Sequence, residues 1–241
     1  MKFLKILVLL LFAGILSKGQ EADVESLLAV ASVNIKNEKY DVALSMIKEA
    51  LYHEPDNITA LQMQINIYYL TDDLKEAGSL AESAIEKYPQ ENEFLYLGGQ
   101  INTKRGKYEK AINDYDKMIE LNTFPDMYKV YLNRGVDYMS IQQYERAAED
   151  FSRSIELNSN NAAAYHSRGM MNYQLRDYTA AVKDFKNALL INNDNPETHF
   201  NLGMSYYRLD DRENACPHFH EACKRGNINA CKMVLMECSR E

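Results

Sequence analysis

The chain has 241 residues and a formal net charge of -8, because 35 acidic residues outnumber 27 basic ones. A surface this acidic repels phosphate groups, which argues against nucleic acid and anionic membranes as partners.

The first predicted element is a secretory signal peptide at residues 1–19. Its apolar run, 6–16, follows two lysines and is too short to span a bilayer, which needs about 20 apolar residues. Ser17 and Gly19 are small residues suited to a cleavage site, so the mature chain is expected to begin near Gln20. Cleavage would remove three lysines and no acidic residue, giving a net charge of -11 and no membrane span. The protein is then exported, either periplasmic or secreted. An uncleaved membrane anchor is the alternative.

A repeat with a period of 34 residues follows the short mature N-terminus at 20–23. The twentieth position of every unit is alanine, and the eighth is small in five of six units, Ile65 being the exception. Small residues at fixed points let two helices approach closely, and apolar residues spaced three and four apart predict two amphipathic helices per unit. The six predicted units are 24–57, 58–91, 92–127, 128–161, 162–195 and 196–229.

This pattern resembles the tetratricopeptide repeat (TPR), a helix-turn-helix unit that occurs in arrays. In the fifth unit, Tyr165, Gly169, Tyr178 and Phe185 stand where the signature residues of that family stand. The resemblance implies an all-α fold, a right-handed α-solenoid of about six units. We expect a capping helix at 230–241 to cover the end of the array.

Arginine and aspartate recur at equivalent positions in the fourth and fifth units. Arg134 with Asp150, and Arg168 with Asp184, lie on opposite helices of each predicted hairpin. We interpret them as buried or half-buried ion pairs that hold the two helices together, rather than as catalytic groups.

All four cysteines lie within the last 26 residues. Facing residues of an antiparallel hairpin are symmetric about its turn, and Cys223 with Cys231, and Cys216 with Cys238, are both symmetric about Asn227. Two nested disulfides are therefore predicted, as suits an oxidising compartment. The ending also resembles the cysteine-rich helical hairpins of exported bacterial proteins.

A metal site is the alternative for this segment, because Cys216, His220 and Cys223 share one helix face. The compartment favours disulfides and a fourth ligand is missing, so we predict no metal site. Pro217 is expected to make the last repeat helix begin late or bend.

Catalytic motifs are absent from the sequence: there is no His-Glu-x-x-His, no Gly-x-Ser-x-Gly and no phosphate-binding glycine loop. We therefore predict a protein that is not an enzyme and needs no cofactor. Function is expected to lie on the concave groove of the array.

The family resemblance implies that positions five, nine and twelve of each first helix line this groove. In the first three units these positions are mixed: Leu28, Ser32, Ile35, Gln62, Asn66, Tyr69, Tyr96, Gln100 and Thr103. In the last three they are strongly apolar: Leu132, Val136, Met139, His166, Met170, Tyr173, Phe200, Met204 and Tyr207. Lys129 and Asn133 are only a fragment of the pattern by which some family members clamp a peptide carboxylate.

Three hypotheses follow for the function. The first is a protein-interaction scaffold that binds a protein or peptide partner in the groove. The alternative is a structural subunit of an envelope assembly, and a metal-binding or enzymatic protein is third. Much of the apolar stripe also suits packing against the neighbouring repeat, so the stripe alone does not decide between the hypotheses.

Overall fold

The computed structural model of the protein describes residues 23–238, so the predicted signal peptide lies outside the described residues. This part of the chain is helical, with thirteen α-helices, a final π-helical turn at Val234–Cys238 and no strand. The helices are α1 (Val24–Lys36), α2 (Tyr40–His53), α3 (Ile58–Leu70), α4 (Leu74–Lys87), α5 (Asn92–Lys104), α6 (Tyr108–Leu121), α7 (Met127–Ser140), α8 (Tyr144–Leu157), α9 (Ala162–Gln174), α10 (Tyr178–Ile191), α11 (Pro196–Arg208), α12 (Arg212–Lys224) and α13 (Ile228–Met233).

The helices stack in consecutive pairs, which confirms the predicted all-α fold of helical hairpins. Each predicted unit contains two of them, although α7 begins at Met127, one residue before its unit. The exact bounds of the units stay a prediction.

Turns inside the helical pairs share one backbone feature. The residue two positions after the first helix has a positive φ in all six pairs, although only one of these residues is glycine. A left-handed residue ends a helix by turning the chain away from the helix axis, and glycine adopts that conformation at the lowest cost. The six residues are Glu38, Asp72, Gly106, Gln142, Arg176 and Asp210.

Two compact parts make up the chain, the first ending at Leu80 and the second beginning at Ala81. In the first part, α2 and α3 bury small and branched side chains together, among them Ala43, Ile47 and Ile67.

Glycine–aromatic pairs organise the core of the second part. Gly135 lies against Phe151, and Gly169 against Phe185, on the two helices of one pair. A Cβ added at Gly169 would lie 2.8 Å from Cε1 of Phe185. The small residue predicted from the sequence therefore makes room for a large ring that is fully buried.

The two predicted ion pairs are confirmed. Arg134 donates from Nε and Nη2 to the two carboxylate oxygens of Asp150 at 2.8 and 2.7 Å, and Arg168 binds Asp184 in the same way at the same distances. Arg134 also donates from Nη1 to Asp116, at 2.5 Å, a contact that the sequence analysis missed. Both guanidinium groups thus link the helices of a pair.

The last repeat helix does not begin late. Helix α12 starts at Arg212 and contains Pro217 in its interior. Because proline has no backbone N–H, the helical hydrogen bond to the carbonyl of Glu213 is missing. The following helix, α13, begins at Ile228, two residues before the predicted cap, because the side chain of Asn227 caps it by accepting from the Ala230 amide at 2.9 Å.

Both predicted cysteine pairs lie at bonding distance. The sulfur atoms of Cys216 and Cys238 are 2.00 Å apart, as are those of Cys223 and Cys231, and the Cα separations are 5.7 and 4.7 Å. In this state Cys216 and Cys223 have no free thiolate to offer a metal beside His220.

Non-reducing peptide mapping of the purified protein tests this pairing. We expect two linked fragments, one joining Cys216 to Cys238 and the other joining Cys223 to Cys231. Reduction should lower the stability of the terminal repeat by about 2–4 kcal/mol, measured by hydrogen exchange, while earlier repeats keep their protection. Free thiols, or a Cys216–Cys231 fragment, would show that the pairing is wrong.

Candidate protein-binding surface

The nine residues predicted to line the groove in the last three units lie on α7, α9 and α11, the first helices of their pairs. All nine are half-buried. The residues at the tenth position of the same three units are almost completely buried: Asp137, Met171 and Ser205. The nine side chains, called here the apolar stripe, are Leu132, Val136, Met139, His166, Met170, Tyr173, Phe200, Met204 and Tyr207.

One side of the apolar stripe packs into the core. Leu132 and Val136 contact the cluster that contains Phe151, whereas Phe200 and Met204 contact the cluster that contains Phe219. Met170 packs against both clusters. The stripe therefore has both predicted features. Part of each side chain packs against the core or a neighbouring repeat, and the rest stays accessible.

Hydrogen bonds between neighbouring first helices fix the stripe. The hydroxyl of Tyr173 accepts from Nε of Arg208 at 3.0 Å, and Nδ1 of His166 lies 2.8 Å from Oγ1 of Thr198. Burial lowers the pKa of His166, which favours the neutral ring. These contacts join one repeat to the next, and they were not predicted from the sequence.

The fragment of a carboxylate clamp is engaged within the chain. The ammonium of Lys129 contacts the carboxylate of Asp126 at 2.5 Å, and Nδ2 of Asn133 donates to the hydroxyl of Tyr96 at 3.2 Å. A peptide carboxylate would have to displace both contacts.

A buried carboxyl lies next to the stripe on α7. Asp137 is 0% exposed and accepts from the hydroxyl of Thr103, with oxygen–oxygen distances of 2.8 and 3.0 Å. Burial raises the pKa of Asp137 to about 7 despite this hydrogen bond, which lowers it. The sequence carries a signal for this residue, because its position is uncharged in every other unit: Val33, Ile67, Ile101, Met171 and Ser205.

Two histidines meet at the end of the array. Nδ1 of His199 lies 3.3 Å from Nδ1 of His218, and Nε2 of His199 lies 3.1 Å from the carbonyl oxygen of Asn193. The pKa of His218 is lowered to about 4, mainly by burial and further by the nearby His199 and Lys186. Within residues 23–238, no group of three or more histidine, cysteine or acidic residues could hold a metal ion.

Four family models for the tetratricopeptide repeat match this chain, at residues 63–124, 128–161, 171–210 and 197–225. Together they account for more than half of its length. The chain belongs to the TPR family. Scaffold families built of TPR repeats are generally non-enzymatic.

Solved structures of TPR proteins share the fold. The Pseudomonas aeruginosa pilF structure has a TM-score of 0.79 at 16% identity, covering 91% of this chain and 100% of that one. A TPR protein from Parabacteroides merdae has a TM-score of 0.69 at 21% identity, with coverages of 86% and 80%. YrrB, described as a TPR protein with an unusual peptide-binding site, has a TM-score of 0.66 at 17% identity, with coverages of 79% and 98%. At these identities the likeness concerns the fold alone.

Two curated proteins resemble part of the chain. The SGT1 homolog of Oryza sativa subsp. japonica is 32% identical over 84 residues, which are 35% of this TPR chain and 22% of the homolog. A TPR repeat-containing protein of Methanocaldococcus jannaschii is 37% identical over 84 residues, 35% of this chain and 15% of that protein. The chain therefore spans about a fifth or less of the curated relatives it matches.

None of the helices between residues 23 and 238 is long and apolar enough to cross a membrane. The longest of them have 14 residues.

Proposed function

We propose that this TPR protein is a non-enzymatic scaffold that binds another protein or a peptide through the apolar stripe. The observation that carries the proposal is the half-buried state of all nine stripe residues on three consecutive first helices. Eight of the nine side chains pack against the core on one side, and the ring of His166 lies 5.5 Å from the ring of Phe185. The accessible part of the stripe is left for a partner.

The chemistry of the stripe favours an apolar segment of a partner, either an amphipathic helix or an extended peptide. Methionine side chains adapt to irregular surfaces, and aromatic rings bury a large area with little loss of side-chain entropy. TPR proteins generally mediate protein–protein interactions, which supports this proposal.

We propose that the protein is exported to the periplasm or to the outside of the cell. The features that favour export are the signal-like residues 1–19 and the two cysteine pairs, since disulfides persist in oxidising compartments. Fractionation followed by N-terminal sequencing tests this location: an N-terminus near Gln20 in an exported fraction is expected, and an intact Met1 in the cytosol would contradict it.

A triple substitution of Tyr173, Phe200 and Tyr207 by alanine tests the stripe. We expect at least tenfold weaker capture of partners from the native envelope fraction after crosslinking, because aromatic anchors usually dominate binding. Circular dichroism and thermal unfolding must show that the variant still folds. The control is Leu190→Ala, which removes an apolar side chain that is 84% exposed and lies outside the stripe.

Exposed apolar side chains elsewhere favour a second candidate function, a structural subunit of an envelope assembly. Leu190, Ile228 and Leu235 are 84, 72 and 74% exposed and do not belong to the stripe. If Leu190→Ala abolishes capture and the triple variant retains it, the structural candidate replaces the scaffold.

A further inference from the structure

A cavity of about 640 Å³ lies between α1 and α3, within the first compact part of the chain. Leu28 and Ser32 line it, and both occupy positions that the family resemblance assigns to the groove. The cavity therefore involves groove positions of the first two repeats, whereas the apolar stripe involves those of the last three.

Short side chains explain why this cavity exists. The ninth position of the first helix is Ser32 in the first repeat, whereas it is Val136, Met170 and Met204 in the last three. Thr59, on the opposite wall, is also small. A small side chain on each wall thus leaves space between α1 and α3.

The cavity has a fixed apolar floor. Leu28 and Met63 are half-buried and pack against the buried cluster that includes Ala43 and Ile47. Because these contacts hold both side chains in place, the floor is already formed before a ligand binds, and an apolar group placed on it would lose contact with water.

The rim of the cavity is acidic. Asp23, Glu25 and Glu54 are exposed carboxylates, and no lysine or arginine is among the residues that line the cavity. Asp23 caps α1 by accepting from the Glu25 amide at 3.3 Å, and Glu54 accepts from Nδ2 of Asn57 at 2.7 Å. The N-terminus of α1 adds only about half a positive charge. The negative charges of the three carboxylates therefore dominate the electrostatic potential at the rim.

We infer that this cavity binds a basic segment of a partner protein, with a lysine or arginine on the acidic rim and a neighbouring apolar side chain on the floor of Leu28 and Met63. This inference rests on the proposed scaffold function and specifies the chemistry of the partner segment that the first two repeats would bind. Charge complementarity selects the basic group, and the apolar floor distinguishes such a segment from a simple polycation.

Fluorescence anisotropy with two labelled peptides tests the inference on the oxidised full chain. One peptide alternates leucine and lysine, and its control alternates leucine and glutamine. We expect the lysine peptide to bind at least tenfold tighter than the glutamine peptide at low salt, and the difference to shrink as salt screens the rim. Equal affinity for the two peptides would overturn the inference, as would failure of the lysine peptide to bind.

A triple variant, Asp23→Asn with Glu25→Gln and Glu54→Gln, removes the negative charge while keeping the size of each side chain. Its expected effect is about tenfold weaker binding of the lysine peptide, since three exposed pairs contribute modestly each. The matched control neutralises three exposed carboxylates outside the cavity, at Asp41, Glu76 and Glu145, and should leave the affinity unchanged. Equal losses in both triple variants would mean that net charge alone attracts the peptide, which overturns the site.

Two further readouts separate this inference from its competitors. If sedimentation shows that the wild-type chain self-associates and the cavity variant does not, the occupant is a second copy and the basic partner is wrong. The scaffold function is judged by the capture experiment on the apolar stripe. The stripe variant could lose partner capture while the two peptides bind equally well. That result would support the scaffold function and contradict only the proposed binding of a basic segment in the cavity.

Discussion

Replacing Arg134 by methionine is expected to lower the free energy of unfolding by about 3–5 kcal/mol, because it leaves a buried carboxylate without its partner. The side chain of Asp150 is 6% exposed, and that of Arg134 is 16% exposed. Arg134 also binds Asp116. The substitution therefore removes one cation from two carboxylates, while methionine keeps most of the apolar volume.

Urea denaturation at pH 7 measures this effect, with two comparison variants. Adding Asp150→Leu to Arg134→Met should recover much of the lost stability, since no buried charge then remains in that pair. Arg153→Met is the surface control. Arg153 pairs with Glu156, but both side chains are more than half exposed, so a change of roughly 0.5 kcal/mol or less is expected. Equal losses for Arg134→Met and Arg153→Met would contradict the importance of burial.

Asp137 is expected to make the protein less stable as the pH rises. Its carboxyl has a pKa of about 7 in the folded chain against an ordinary value of 3.8. Between these two values the folded state binds more protons than the unfolded state, so the free energy of unfolding falls from about pH 4 to pH 7 and then levels off. A shift of this size corresponds to roughly 4 kcal/mol.

The variant Asp137→Asn tests this origin, because asparagine has nearly the same shape and its Oδ1 can still accept from Thr103. We expect the variant to lose most of the pH dependence and to be more stable than the wild-type chain at pH 8. Asp184→Asn is the matched control, since Asp184 is also buried but pairs with Arg168. That variant should be less stable at pH 8. A wild-type stability that does not change from pH 4 to pH 8 would contradict the prediction.

Helix pairs and their internal contacts were predictable because they repeat with the sequence period. The alanine at the twentieth position and the glycine at the eighth mark the point where two helices cross, and the structure places Gly169 against Phe185 there. The pairs of Arg134 with Asp150 and of Arg168 with Asp184 followed from the same equivalence of positions.

Contacts between successive repeats were harder to predict. The hydrogen bond from Thr103 to Asp137 and the contact between Arg134 and Asp116 join side chains on different repeats. Their formation depends on the rotation between neighbouring pairs, which the length of the period does not specify. A charged residue at a position that is uncharged in every other unit, as at Asp137, is the signal that points to such a contact.

The binding surface was predictable only as a set of positions. The sequence identified the apolar stripe but not how much of each side chain the core would cover. It did not reveal the cavity beside Ser32, which comes from the absence of atoms around a small side chain. Empty volume depends on neighbours from two helices and is not visible in one stretch of sequence.

The nested cysteine pairs imply an order of oxidative folding. Cys223 and Cys231 are separated by 8 residues, whereas Cys216 and Cys238 are separated by 22. Closing the shorter loop costs roughly 1 kcal/mol less chain entropy, so the inner bond should form first. Once formed, it fixes the reversal of the chain at Asn227 and brings the outer cysteines toward each other. The two helices of the hairpin are then joined stepwise, first near the turn and later near the end of the chain.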